Sequence, residues 1–99
     1  MYKYQDILEE LNHRGAELRR RFSVRRIGLF GSVVRGELRE GSDIDVLVEL
    51  DEPTFDHYMD LKFYLQRLFG AEVDLVTVES IKPRVRAAIE EEVIYAEGL

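Results

Sequence analysis

The chain has 99 residues, with 14 Lys and Arg against 20 Asp and Glu for a formal charge of −6, no Cys, no Trp and 45% apolar residues. A chain of this length buries only about 60–65% of its unfolded surface, which predicts one domain over residues 1–99 with one modest core and no second module to hold a large substrate. Without cysteine there is no disulfide scaffold, thiol nucleophile or thiolate zinc site, and the two imidazoles, His13 and His57, are too few for a multi-histidine metal centre.

From Tyr4 to Phe22 the apolar residues Ile7, Leu8, Leu11, Leu18 and Phe22 recur at helical spacing, predicting one helix. Val24 to Phe30 reads as a short strand running into a turn at Gly31, Ser32 to Glu37 as a brief helix, and Arg39 to Ser42 as a polar loop. Ile44 to Leu50 alternates strictly, with Ile44, Val46, Val48 and Leu50 on one face and Asp43, Asp45, Leu47 and Glu49 on the other. Thr54 can cap a helix reaching about Phe69, with Tyr58, Leu61, Leu65 and Leu68 as its apolar seam and Gly70 as its C-terminal glycine. Glu72 to Val78 predicts a third strand. Ile81 to about Glu92 predicts a last helix, with Pro83 in its first turn and Val85, Ala88 and Ile89 facing inward. Such an order gives an α/β architecture with a small sheet packed on helices.

The longest uncharged stretch, Ile27 to Val34, has eight residues, far short of the roughly 20 apolar residues of a membrane span. Residues 1–10 carry Lys3, Asp6, Glu9 and Glu10 where a signal peptide would be apolar, so a cytoplasmic protein without a membrane is expected. Charge is divided unevenly: residues 1–40 hold nine basic and six acidic side chains, residues 41–99 five and fourteen. That polarity suits a protein handling an anion beside a cation.

Two segments carry the chemistry, Gly31-Ser32-Val33-Val34-Arg35-Gly36 and Ser42-Asp43-Ile44-Asp45. Residues two apart on a strand share a face, so Asp43 and Asp45 project together, and hard oxygen ligands in such a pair favour Mg²⁺ or Mn²⁺. Asp74 stands near the start of the third strand. If that strand lies beside Ile44–Leu50 in register, three carboxylates meet at one sheet edge, enough for two divalent ions about 4 Å apart. An Asp-x-Asp alone means little in a chain with seven Asp. The glycine segment gives it weight. Gly31 allows a sharp turn whose amide groups, with the Ser32 hydroxyl, can receive an anion; Arg35 can grip a phosphate oxygen, and Gly36 leaves room nearby. A phosphate seat followed at once by a metal-binding pair is what polyphosphate chemistry requires.

This combined pattern, Gly31-Ser32-x-x-Arg35-Gly36, then Ser42-Asp43-Ile44-Asp45 opening an apolar strand, then Asp74, resembles the nucleotidyltransferase superfamily of DNA polymerase beta, in particular its minimal (MNT-type) members. The resemblance implies a nucleotidyltransferase-like α+β fold with a three- to four-stranded mixed sheet. It implies that Asp43, Asp45 and Asp74 hold two Mg²⁺ ions, with Asp74 also available as general base. Gly31, Ser32, Arg35, Gly36 and Ser42 would bind the nucleotide. Glu72, two residues before Asp74, leaves the identity of the third carboxylate open. Members of this kind are antitoxins encoded beside HEPN-domain ribonuclease toxins, and some transfer AMP from ATP to a tyrosine of that toxin. The expected function is therefore AMP transfer from MgATP to a partner toxin. Two rivals stand beside it: a non-catalytic antitoxin acting by stoichiometric binding, and a small-molecule nucleotidyltransferase working with a partner subunit.

The remaining features read as structural. Arg14, Arg19, Arg20, Arg21, Arg25 and Arg26 lack an aromatic platform in an acidic protein, so direct nucleic-acid binding is not expected. His57, near Asp56 and Asp60, reads as a surface residue and not as a metal ligand. The Phe55, Met59, Phe63 and Tyr64 flank, if exposed, is the candidate docking or dimer surface, which leaves homo-oligomerisation open. Glu90-Glu91-Glu92 reads as a solvated helix end, and Val93, Ile94 and Tyr95 either pack back or meet a partner.

Overall fold

A computed structural model describes residues 3–99. In it, helices α1 (Tyr4–His13) and α2 (Gly15–Phe22) lead into strand β1 (Val24–Phe30) and a single 3₁₀ turn at Gly31–Val33. Strand β2 (Ile44–Leu50), helix α3 (Phe55–Phe69), strand β3 (Val73–Thr77), helix α4 (Pro83–Glu92) and the two-residue strand β4 (Ile94–Tyr95) follow. The strands form one mixed sheet in the order β3-β2-β1-β4, with β1 antiparallel to both neighbours and β2 parallel to β3.

The alternation in β2 decides which face is covered. Ile44, Val46, Val48 and Leu50 are all buried, in one cluster with Ile7 and Leu11 of α1, Leu18 and Phe22 of α2, and Leu61, Leu65 and Phe69 of α3. Each fully buried Leu or Val contributes about 1.5–3 kcal/mol, so this face holds the sheet flat against its helices. Helix α3 begins where Thr54 Oγ1 accepts the His57 amide at 3.1 Å and ends at Gly70, whose φ of +63° only glycine adopts without cost. The Tyr64 hydroxyl donates to Glu17 at 2.7 Å and accepts from Arg14 at 3.2 Å, and its ring lies 5.1 Å from that of Phe22, which fixes α3 against α2.

Several expectations need correction. The predicted helix Tyr4–Phe22 is broken at Arg14, and at the joint Gly15 lacks a Cβ that would strike the backbone of Gly98, which packs there. Asn12 Oδ1 ties that tail down by accepting the amides of Glu97 at 2.6 Å and Gly98 at 3.1 Å. Ser32–Glu37 is not a helix: the 3₁₀ turn ends at Val33 and the chain turns on to Gly36 at φ +74°. The third strand is shorter than Glu72–Val78, since a 3₁₀ turn takes Val78–Ser80. In α4, Val85 and Ala88 face solvent and Ile89 is half-buried, so the inward face predicted for them is only weakly realised. The flank on α3 is split: Phe55 is 75% and Phe63 49% exposed, while Met59 and Tyr64 are half-buried.

The opposite face of the sheet carries the polar residues. There Gly28 of β1 pairs with Leu47 of β2, and Val93 lies where a Gly28 side chain would be. The chain after α4 thus closes over this face, and β4 pairs Tyr95 with Gly28 and Ile94 with Leu29. Arg26 stacks on the Tyr95 ring, 4.3 Å from its centroid, securing the short edge strand.

Candidate active site

Parallel pairing of β2 with β3 places Asp45 directly opposite Asp74, with Ile44 opposite Val73 and Val46 opposite Leu75. The apolar partners anchor both strands on the helical side and leave the two carboxylates on the other. The register selects Asp74, not Glu72, as the partner of Asp45; the Glu72 carbonyl instead accepts the Ile44 amide at 2.9 Å. Asp43 lies exposed just before β2, and Asp74 is exposed on β3, while Asp45 between them is half-buried.

This crowding sets the chemistry. Burial pushes the Asp45 carboxyl up to about 6 from the ordinary 3.8, helped by repulsion from Asp74 and from Asp43 and by a hydrogen bond to Asp74; Arg35 opposes the rise. A carboxylate held this way is poised to exchange its proton for a cation. Among the described residues no three His, Cys, Asp or Glu side chains stand as a ready-made metal cage. The donor set nevertheless fits a hard divalent ion, because three carboxyl groups whose mutual repulsion already raises one of them are relieved by positive charge and offer only oxygen.

The glycine turn abuts this cluster. Phe30, the last residue of β1, pairs with Asp45, so Gly31 follows immediately beside it. Gly31 has φ +76°, and a Cβ there would collide with the Asp45 carboxylate. Two independent constraints therefore demand glycine. Half-buried Ser32 comes next, and its carbonyl accepts the Glu37 amide at 2.8 Å. The Arg35 guanidinium bonds Glu37 at 2.8 Å through Nε and Glu92 at 2.7 Å through Nη1. The Gly31 amide also donates to Glu92, to the same carboxylate oxygen. An anion thus sits in the turn that the sequence marks as a phosphate seat.

Not every predicted residue reaches the centre. Ser42 caps its own loop, its hydroxyl accepting the Arg39 amide at 3.3 Å. Gly36 serves the backbone turn, exposed and with open space around its Cα. A cavity of about 690 Å³ lined by Leu38, Arg39, Glu40, Ser42, Ala71 and Glu72 opens beside them, at the ends where β2 and β3 begin. His57 is taken up locally, its Nδ1 lying 2.8 Å from the Glu52 carbonyl. Sequence reasoning missed Glu92, because helical phase does not separate it from Glu90 and Glu91. The available signal was the apolar Val93-Ile94-Tyr95 behind it, of which Ile94 and Tyr95 pair with β1 and so bring Glu92 toward the end of that strand.

Asp43 just before β2, Asp45 on it, Asp74 in register on β3 and the Gly31 turn at the end of β1 thus lie at one end of the mixed sheet. The chain belongs to the nucleotidyltransferase domain family, whose model matches residues 16–96. It is 43% identical over 96 residues to the protein adenylyltransferase MntA of Thermococcus cleftensis, covering 96% of this chain and 97% of that one. A Methanocaldococcus jannaschii chain assigned as a protein adenylyltransferase is also 43% identical, over 99 residues, covering 96% of this chain and 99% of the relative. Among solved structures, one assigned as a minimal nucleotidyltransferase superposes with a TM-score of 0.77 at 37% identity, covering 90% of this chain and 92% of the other. A toxin–antitoxin crystal structure with AMP-PNP has the same fold, with a TM-score of 0.70 at 23% identity over 89% of this chain and 73% of that one. Among the described residues no helix is long and apolar enough to cross a membrane.

Proposed function

We propose that this nucleotidyltransferase is an antitoxin that transfers AMP from ATP to a tyrosine hydroxyl of a HEPN-type toxin encoded nearby, releasing pyrophosphate and neutralising the toxin. The observation that carries the reading is the register of Asp45 on Asp74 beside the Gly31 turn. Its support in kinship comes from the relatives named as protein adenylyltransferases. A tri-AMPylated Shewanella oneidensis HEPN toxin in complex with its MNT antitoxin also contains a chain of this fold, with a TM-score of 0.64 at 20% identity over 93% of this chain and 73% of that one.

In this reading the Gly31 amide, the Ser32 hydroxyl and the Arg35 guanidinium receive the terminal phosphates. They hold the α-phosphorus over Asp43 and Asp45. Asp43, Asp45 and Asp74 would hold two Mg²⁺ or Mn²⁺ ions, which when bound offset the negative charge of the phosphates. Asp74, exposed at the edge of the cluster, takes the proton of the attacking hydroxyl. The hydroxyl oxygen bonds the α-phosphorus as the bond to pyrophosphate breaks.

The test is incubation with α-labelled ATP, Mg²⁺ and the product of the neighbouring gene. Label should appear on that protein and be lost with Asp43→Asn/Asp45→Asn. A tight complex that never acquires label would overturn the catalytic reading in favour of stoichiometric inhibition.

A further inference from the structure

The last residue of α4 sits in the phosphate seat. One oxygen of Glu92 accepts both the Gly31 amide and, at 2.7 Å, Arg35 Nη1. A carboxylate oxygen between a backbone N–H and a guanidinium reproduces what a non-bridging phosphate oxygen would find there. Its neighbours do otherwise: Glu90 pairs with Arg86 at 3.5 Å on its own helix, and Glu91 is exposed. Of the three consecutive glutamates, Glu92 is the one that reaches the site.

The element carrying it is lightly held. Every residue of α4 keeps part of its surface in solvent, and Lys82 provides no side-chain cap at its start. Beyond Glu92 the chain is held by Val93 over Gly28, by the pairing of β4 with β1, by the Ala96 amide donating to the Ile27 carbonyl and by Asn12 accepting the amides of Glu97 and Gly98, so what is loosely held is α4 itself. The ion pair itself is open to water, with the side chains of Arg35 and Glu92 50% and 30% exposed. Such a contact holds while the seat lacks a stronger anion and yields to one bearing several charges.

We infer that Glu92 is a built-in stand-in for a nucleotide phosphate, an autoinhibitory latch that keeps the Gly31–Arg35 seat closed until a polyphosphate displaces it and frees the end of α4. This rests on reading the Gly31 turn as the phosphate seat. Apparent affinity is the intrinsic affinity scaled by the fraction of molecules with the seat open, so a latch closed about 90% of the time costs roughly tenfold.

The experiment is calorimetric titration of ATP with Mg²⁺ into the full chain and into Glu92→Gln, Glu92→Asp and Glu91→Gln. Glu92→Gln removes the charge, Glu92→Asp keeps it but withdraws it by one methylene, and Glu91→Gln makes the same change in net charge one residue away. The latch predicts about tenfold tighter binding for both Glu92 variants and less than a twofold change for Glu91→Gln. Equal affinities in Glu92→Gln and Glu91→Gln, or weaker binding in the Glu92 variants, overturn the latch and leave the nucleotide site standing. Absence of ATP binding from all four proteins overturns the seat itself and the latch with it.

Discussion

On the proposed reading, Asp45 is where function and stability oppose each other. Its carboxyl titrates near 6 in the folded chain against an ordinary 3.8. Between these values the folded state keeps a proton that the unfolded state has lost. The contribution of this group to stability is therefore undiminished below about pH 4, falls as pH rises through 6, and stays reduced above. A rise of that size is equivalent to about 3 kcal/mol, which the partial solvent exposure of Asp45 reduces to about 1 kcal/mol. Asp45→Asn should accordingly raise the melting temperature by about 4–8 °C at pH 7.5, leave it unchanged near pH 3.5, and abolish nucleotidyl transfer. Thermal melts of both proteins across that range check the sign. Gly31 is the complementary case. With φ at +76° and the Asp45 carboxylate where a Cβ would sit, Gly31→Ala should cost about 1–3 kcal/mol in urea unfolding and weaken ATP binding as the amide is displaced.

At the scale of elements, the joint between α1 and α2 separates local preference from tertiary packing. Alanine is favoured over glycine in a helix by about 1 kcal/mol, yet a Cβ at Gly15 would meet the Gly98 backbone. Gly15→Ala should therefore destabilise the full chain by about 1–2 kcal/mol, and in a chain lacking residues 97–99 the same change should become stabilising. Denaturant unfolding of the four proteins tests that reversal. The joint also marks the limit of what periodicity discloses. Alternation in Ile44–Leu50 and the Thr54-to-Gly70 frame were legible because each element's pattern is written within its own residues. The packing of Gly98 at the Arg14 joint, the space over Gly28 and the reach of Glu92 were not, because each involves contact with a segment at the other end of the chain. The site divides the same way: the Asp43, Asp45, Asp74 and Gly31 cluster follows from strand parity and a turn, whereas Ser42 and Gly36 belong to the loop's own geometry. Two residues, Ile94 and Tyr95, are too few to show a strand period at all.

For the whole molecule, the sheet separates a rigid half from a movable one. On one side α1, α2 and α3 share a continuous buried cluster with β1, β2 and β3. On the other, α4 has no buried residue and is fastened at its end by the Glu92 ion pair with Arg35, while the chain after it is held by Val93, by the stacking of Arg26 on Tyr95, by the Ala96 amide on the Ile27 carbonyl and by Asn12 on Glu97 and Gly98. Opening α4 alone exposes little apolar surface, so its free energy lies well below that of global unfolding. A domain of this size is stable by about 5–10 kcal/mol, and amides in the middle of β2 and α3 should exchange with solvent only through global unfolding, slowed by about 10⁴-fold or more. Amides of α4 from Arg86 to Glu92 should exchange at least about a hundredfold faster than those of β2. Hydrogen exchange followed residue by residue by NMR distinguishes the outcomes. Protection of α4 equal to that of β2 would mean that the segment carrying Glu92 unfolds only with the core, and substrate entry would then have to occur with α4 in place.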